Sequence, residues 1–199
     1  MSDRIKVLIH GVGDASEVPG LDQLGDLARF DCAQSVDELR AGLAQAQVLL
    51  GWDFRAAELA EVWSSARQLR WIHWGGAGVD ALLFAELVAS DVVVTNARGI
   101  FDVPMAEYTL GLALAMAKDF VRTFADQQNQ HWNYRTTQSL QGKQALIVGI
   151  GSIGRAIART LRAFGMQVVV VGRQARNDDA EFAAVHGIVL TVAIRQAGG

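Results

Sequence analysis

The feature that most constrains this chain is a glycine-rich turn between a predicted strand and a predicted helix. Residues 145–148 form a short apolar run typical of a buried strand, and residues 153–164 have the pattern of an amphipathic helix that Gly165 ends. The turn between them, residues 149–154, is Gly-Ile-Gly-Ser-Ile-Gly. A GxGxxG turn that follows a strand and opens a helix inside a βαβ unit is typical of dinucleotide-binding sites. A glycine-rich turn without a ligand is the alternative.

Each glycine has a separate role in such a turn. Gly149 permits the tight turn, Gly151 lets the backbone approach a pyrophosphate, and Gly154 lets the helix pack closely against the strand. The free N–H groups of the first helical turn then face the phosphates, and the helix dipole favours negative charge there. The sequence therefore predicts a bound nicotinamide dinucleotide.

The residues after the second predicted strand bear on the choice of dinucleotide. An NAD-preferring site carries Asp or Glu about 20 residues after the glycines, where it binds the ribose hydroxyls. This chain has Arg173 at that position, with Arg176 close behind. A guanidinium group pairs well with phosphate oxygens. The sequence therefore favours NADP(H) over NAD(H), and the alternative is that both arginines are solvated surface charges.

The rest of the chain alternates predicted strands and helices, which indicates an α/β fold with a parallel sheet covered on both faces. Between residues 1 and 102 the predicted strands are 5–9, 30–33, 48–52, 69–74 and 92–95, and the predicted helices are 35–46, 56–67 and 80–88. A long helix from Asp102 to about Asp126 is apolar nearly all round, which predicts burial between domains or subunits. Residues 127–139 are predicted as a linker. From residue 144 onward the pattern is βαβαβ, with its second helix at 178–185 and its third strand at 188–194.

Composition narrows the possible partners and compartments. The chain is 51% hydrophobic and 20% charged with a formal net charge of −3, which argues against disorder and against a nucleic-acid-binding surface. Cys32 is the only cysteine, so no internal disulfide or paired-cysteine metal motif is possible. We see neither a signal-peptide core nor an apolar run of the ~20 residues that a membrane span needs. The expected setting is cytoplasmic, with no membrane partner and no bound metal.

Several landmarks occur in one order along residues 1–185. They are Trp71-Ile72-His73-Trp74-Gly75-Gly76-Ala77-Gly78-Val79-Asp80, Val94-Thr95-Asn96, Met105-Ala106-Glu107-Tyr108, Trp132, Leu140-Gln141-Gly142-Lys143 and the 149–154 turn with Arg155-Ala156-Ile157-Ala158. In this order they resemble the D-isomer-specific 2-hydroxyacid dehydrogenases. Residues 172–176, Gly-Arg-Gln-Ala-Arg, are similar to the glyoxylate and hydroxypyruvate reductase branch, which tends to use NADPH.

The resemblance implies a flavodoxin-like substrate domain over residues 1–102, an interdomain helix and linker over 103–139, and the first half of a doubly wound Rossmann cofactor domain over 140–199. The expected activity is reduction of small 2-oxo acids, such as glyoxylate or hydroxypyruvate, to D-2-hydroxy acids. The long helix resembles the one that links the two domains and builds the family's dimer interface. A homodimer of the full-length form is therefore expected.

The resemblance also assigns roles to individual residues. Gly76, Ala77 and Gly78 correspond to the loop whose N–H groups bind the substrate carboxylate, with Ala77 also near the nicotinamide. Met105 corresponds to a residue that packs against the nicotinamide ring, and plain core packing is the alternative. Ser152 and Ile153 match positions whose backbone faces the pyrophosphate.

The family's catalytic Arg, Glu and His are expected beyond residue 199, so no catalytic residue is assigned. None of His10, His73, His131 and His186 lies in a matching motif, and Arg98, in an Asn-x-Arg-Gly sequence, precedes the Met105 helix and is not expected to be the catalytic arginine. We therefore expect a truncated or frame-shifted chain that is inactive and marginally stable or self-associating. The alternative is a non-catalytic NAD(P)-binding regulatory or interaction module.

Overall fold

The structure is a computed structural model that describes residues 4–54 and 58–187. Its contacts divide the chain into two compact units, Met1–Arg98 and Gly99–Gly199. Each unit has its own sheet, and the two are described separately below.

Unit 1 is built on a five-stranded parallel sheet. The strands are β1 (Ile5–His10), β2 (Ala28–Ala33), β3 (Val48–Gly51), β4 (Trp71–Trp74) and β5 (Val93–Asn96). They are hydrogen-bonded in the order β2-β1-β3-β4-β5, and every neighbouring pair is parallel. This is the flavodoxin-like order, so the predicted fold class of this unit is confirmed.

The helices of unit 1 are shorter than the sequence suggested. They are α1 (Val36–Leu43), α2 (Leu59–Val62) and α3 (Ala85–Val88), with short 3₁₀ helices at Ala15–Glu17, Leu21–Leu24, Trp63–Ser65 and Asp80–Leu82. Helix α1 begins with a capping box, because Ser35 Oγ accepts from Glu38 N and Glu38 Oε2 accepts from Ser35 N. The predicted helix 80–88 is interrupted at Phe84, whose extended backbone lets its ring pack edge-on against Trp63 at 5.2 Å.

The two faces of this sheet are covered unequally. One face carries Leu8, Leu49, Ile72 and Trp74, which pack with Leu39 and neighbouring residues of the helices into the main core. The first two 3₁₀ helices cover the other face over β1 and β2 and reach Leu50 of β3. Over β4 and β5 that second face is open, and Trp71 and Val93 are exposed there. Parallel sheets are normally covered on both faces, so this part of the prediction holds for one face only.

Unit 2 contains two helices followed by a βαβ unit. Its elements are α4 (Asp102–Ala117), α5 (Phe120–Gln128), β6 (Gln144–Val148), α6 (Ser152–Ala163) and β7 (Gln167–Val171). Strands β6 and β7 pair in parallel, from Gln144 opposite Gln167 to Val148 opposite Val171. A further parallel bridge joins Val171 to His186. This is the start of a Rossmann sheet, as predicted; the predicted strand at 188–194 lies outside the described residues.

The long helix predicted over 102–126 is two helices. It breaks at Asp119, which adopts a left-handed backbone with φ of 53° and whose carbonyl oxygen accepts a hydrogen bond from Arg135 Nη2 at 3.0 Å. The predicted burial was between domains or subunits, which the single chain does not test. In α4 only Ala106 is buried, while Tyr108 and Met116 are exposed.

The helix predicted over 178–185 is also wrong, because this segment is irregular. Its acidic residues turn toward α6, where Asp179 pairs with Arg155 and Glu181 pairs with Arg159. Phe182 enters the core beneath α6 with 2% exposure. These contacts with a distant helix override the local preference for a helical turn.

Candidate functional site

The glycine turn of unit 2 has the geometry of a phosphate-binding loop. Strand β6 ends at Val148, and Gly149 follows with φ of 106°, a backbone region that favours glycine. Its N–H donates to the carbonyl oxygen of Val171 at 2.8 Å, which ties the turn to the end of β7. Gly151 is the N-cap of α6, so Ser152 and Ile153 begin that helix and their N–H groups have no intrahelical partner.

The space around the glycines tests whether a pyrophosphate fits. A Cβ added to Gly154 would collide with the carbonyl oxygen of Gly149, so this glycine sets the close approach of α6 to the turn. A Cβ added to Gly149 or Gly151 would meet nothing within 4 Å, so the turn faces open space. Helix N-terminal N–H groups around such a space suit a diphosphate. The residues present therefore fit the group that the sequence predicts.

The two arginines after β7 are in different electrostatic situations. Arg173 is exposed and makes no ion pair within the part of the chain that the structure describes. Arg176 donates from Nε and Nη2 to Asp179 Oδ2, at 3.2 Å and 2.7 Å. The same carboxylate accepts from Arg155 in the first turns of α6, with Nη1 to Oδ1 at 2.8 Å and Nη2 to Oδ2 at 2.6 Å.

These pairs fix the charge states of the cluster. The hydrogen bonds from Arg155 and then from Arg176 hold the pKa of Asp179 well below its usual range. The hydrogen bond to Asp179 in turn raises the pKa of Arg155. Sequence reasoning missed Asp179 because it was placed in a helix. The three-residue spacing between Arg176 and Asp179 was the available signal for a local ion pair.

The second predicted site, Gly76–Ala77–Gly78, lies in unit 1 at the carboxyl end of β4. The turn is anchored to β5, because Asn96 Nδ2 donates to the carbonyl oxygen of Ala77 at 2.7 Å and Ala97 N donates to that of Gly76 at 3.1 Å. Among residues 4–54 and 58–187, the N–H groups of Gly76, Ala77 and Gly78 find no hydrogen-bond acceptor. Adjacent free amides on a fixed turn are able to bind a carboxylate.

An aromatic residue missed by the sequence analysis borders this turn. A Cβ added to Gly76 would lie 3.0 Å from Cβ and 3.3 Å from Cγ of Phe54, so the two residues are in close contact. Phe54 itself is 50% exposed. It follows β3, whose carboxyl end shares an edge of the sheet with that of β4. That shared edge was the signal that could have identified it.

The remaining predicted residues occupy simpler surroundings. Met105 lies in the first turn of α4 and is 41% exposed. Arg98 is exposed, and its backbone N–H donates to Asn96 Oδ1 at 3.4 Å. His73 lies on β4 with Nδ1 2.9 Å from Thr95 Oγ1. His10 is buried at the end of β1. Burial lowers the pKa of its imidazole, and this effect exceeds the opposite effect of the charges on Glu58 and Asp53, which raise it.

Two kinds of feature are absent from the described residues. Within 4–54 and 58–187, no group of three or more His, Cys, Asp or Glu side chains is placed to hold a metal ion. Over the same ranges, no helix combines the length and the apolar character that crossing a membrane requires.

Comparison with known proteins finds a family model and relatives that are similar to parts of this chain. Residues 110–197 match the family model described as "D-isomer specific 2-hydroxyacid dehydrogenase, NAD binding domain". D-3-phosphoglycerate dehydrogenase 3, chloroplastic, of Arabidopsis thaliana is 29% identical over 184 residues, which is 89% of this chain. Glyoxylate reductase of Thermofilum pendens is 30% identical over 125 residues, or 60% of this chain.

A solved structure gives the same result over most of the chain. The crystal structure of a D-isomer specific 2-hydroxyacid dehydrogenase family protein from Aeromonas salmonicida superposes with a TM-score of 0.75 at 31% identity. It aligns with 94% of this chain, and the chain covers 59% of it. The chain spans 31% of the Arabidopsis relative and 37% of the Thermofilum relative. Residues 110–197 therefore match the NAD-binding domain of the D-isomer specific 2-hydroxyacid dehydrogenases, and the fold of the chain is similar to that of a member of this family.

Proposed function

We propose that this chain binds NADP(H) and serves the reduction of a small 2-oxo acid, such as glyoxylate or hydroxypyruvate, to the D-2-hydroxy acid. The observation that carries the proposal is the geometry of the 149–154 turn. It has free space beside Gly149 and Gly151, and α6 packs closely against it at Gly154. The similarity to a glyoxylate reductase supports the substrate class. When bound, the nicotinamide supplies the hydride for the reduction.

Different residues of this chain bind the different parts of the cofactor and the substrate. Backbone N–H groups of Gly151, Ser152 and Ile153 hold the pyrophosphate at the N-terminus of α6. In unit 1, the free amides of the Gly76–Ala77–Gly78 turn hold the substrate carboxylate. Met105, half-exposed in the first turn of α4, packs against the nicotinamide ring. Arg173 pairs with the 2′-phosphate because no other group competes for it in the described chain.

Arg173 gives the first test, because its removal should erase the preference for the phosphorylated cofactor. We expect Arg173→Ala to weaken NADPH binding about tenfold, since one charge-assisted contact at an exposed site is lost. NADH binding should change by less than about twofold. Isothermal titration calorimetry with both cofactors measures the two affinities.

A matched control keeps this test specific. Arg67→Ala removes an exposed arginine of unit 1 whose side chain makes no ion pair in the described residues, so it should leave both affinities unchanged. If the unaltered chain binds NADH more tightly than NADPH, the NADP(H) assignment is wrong. If it binds neither, the proposed function is wrong.

Turnover is tested separately from binding. NADPH oxidation is followed at a fixed protein concentration with glyoxylate and with hydroxypyruvate as substrates. Oxidation that depends on the 2-oxo acid supports the enzyme proposal for this chain. Binding without turnover that a C-terminally extended version restores favours an enzyme, and binding without turnover in both versions favours a non-catalytic dinucleotide-binding module.

We also propose that a second copy of this chain covers the exposed apolar side of α4, α5 and the following loop. Tyr108, Leu112 and Met116 repeat every four residues along one side of α4, and each is at least half exposed. In α5 and the following loop, Val121, Phe124, Trp132 and Tyr134 are exposed as well. Apolar surface of this extent is typical of protein interfaces.

The expected result is a dimer that a single charge on this surface weakens. Leu112→Glu should raise the dimer dissociation constant at least about tenfold, because it places a carboxylate in an apolar contact. Sedimentation velocity over a concentration series measures the constant. Gln128→Glu adds the same charge at an exposed polar position of α5 and serves as the control. A monomeric unaltered chain at high concentration would contradict the proposal.

A further inference from the structure

The loop that follows β7 contains an aspartate, Asp179, whose carboxylate accepts hydrogen bonds from several donors. The side chain of Asp179 is 3% exposed, although it lies in an irregular surface segment. It accepts hydrogen bonds from Arg155, from Arg176 and from the N–H of Glu181, the last at 3.0 Å. A carboxylate has about four lone-pair sites, so these donors saturate it.

We infer that Asp179 is a specificity-determining residue that holds Arg176 in an ion pair and leaves Arg173 as the arginine that recognises a 2′-phosphate. The inference rests on the proposed function, because it concerns which residues read the phosphate of the dinucleotide. The sequence places Arg173 at the expected position, with Arg176 close behind, and treats both as candidates for binding the phosphate. Their separation comes from the observed contacts.

To bind a phosphate, Arg176 would have to exchange its ion pair with Asp179 for one with the ligand. If Arg176 turned from Asp179 to a bound phosphate, it would gain one charge-assisted pair and lose another of the same kind. It would also leave a nearly buried carboxylate short of a partner, which carries a desolvation cost. Arg173 gives up no partner in the described chain when it binds an anion. Its contribution to phosphate binding is therefore retained in full, while that of Arg176 is cancelled.

Asp179 cannot follow Arg176 into the cofactor site, because it is anchored to α6. Arg155 donates a hydrogen bond to each carboxylate oxygen of Asp179, and it also donates to Glu181 Oε2 at 3.3 Å. The same anchoring argues against a role for Asp179 as the carboxylate that binds ribose hydroxyls in NAD-preferring sites. Such a residue has to present a free oxygen at the end of the strand. Asp179 instead ties the 173–181 loop to the helix that carries the phosphate turn.

A double-mutant cycle on the full 199-residue chain tests the inference. The probes are 2′,5′-ADP, which carries the 2′-phosphate, and 5′-ADP, which lacks it, with affinities from isothermal titration calorimetry. We expect Arg176→Ala to change the affinity for 2′,5′-ADP by less than about twofold, and Arg173→Ala to lower it about tenfold. Asp179→Asn should raise it about fivefold by releasing Arg176, and adding Arg176→Ala should remove that gain. None of these changes should alter the affinity for 5′-ADP by more than about twofold.

The possible results distinguish failure of the inference about Arg176 from failure of the proposed function. A loss of 2′,5′-ADP affinity in Arg176→Ala equal to that in Arg173→Ala overturns the inference while leaving the proposed function intact. If neither probe binds the unaltered chain, the proposed function fails and the inference fails with it. If Asp179→Asn does not fold, as judged by thermal melting, the comparison of the two single arginine variants still decides.

Discussion

Replacing Gly154 with alanine should abolish dinucleotide binding and destabilise unit 2. The added Cβ would collide with the carbonyl oxygen of Gly149, so α6 has to move away from the turn. Forced overpacking of this kind costs about 1–3 kcal/mol of stability. The displacement also misaligns the N–H groups of the first helical turn, and NADPH affinity should fall at least about 100-fold. Calorimetric titration and thermal melting measure the two effects.

Two further glycine variants separate the possible causes. Gly151→Ala places its Cβ in the open space over the turn, so it should keep the melting temperature while weakening NADPH binding at least about tenfold. Gly111→Ala lies inside α4 with nothing within 4 Å, and it should raise stability by about 0.5–1 kcal/mol with binding unchanged. If Gly154→Ala melts and binds like the unaltered chain, the close contact of α6 with the turn does not matter for function.

The phosphate turn was predictable because its signal is local. A short apolar run, three glycines at fixed spacing and an amphipathic helix occur within about 20 residues, and each has one common structural solution. Strands β1, β3, β4 and β5 were predictable for the same reason, since each is a short, mainly apolar run. Strand β2 contains Arg29 and Asp31, so its signal is weaker and only residues 30–33 of it were predicted. The parallel order then follows from the alternation of strands with helices.

The wrong helix predictions concern segments whose backbone conformation depends on contacts with distant residues. The break at Asp119 depends on Arg135, which ion-pairs with Asp119 and with Asp126 from 9 to 16 residues further along. The loss of a helix at 178–185 depends on Arg155, which is 24 residues from Asp179. Apolar periodicity within a segment carries no information about such pairs. For the same reason, the different situations of Arg173 and Arg176 became visible only in the structure.

In unit 1, the largest expected loss of stability comes from Trp74→Ala. Trp74 is 2% exposed, its ring fills the space beside Gly51, and no Cβ could be accommodated at Gly51 without moving it. Removing a buried indole costs about 3–5 kcal/mol, because the cavity that remains closes only in part. Since Trp74 directly precedes the Gly75–Gly78 turn, the candidate carboxylate site should loosen as well. Chemical denaturation followed by far-UV circular dichroism measures the change in the free energy of unfolding.

Trp71 on the same strand provides the matched control, because it faces the open side of the sheet. It is 43% exposed, and its Nε1 donates to Thr95 Oγ1 at 2.8 Å. Trp71→Ala should therefore cost only about 1 kcal/mol, from one exposed hydrogen bond and partial apolar contact. Equal losses for the two tryptophans would mean that the open face is covered in solution. In that case a further group packs against Trp71 next to β4 and β5, and burial in the isolated chain does not determine the stability that each tryptophan contributes.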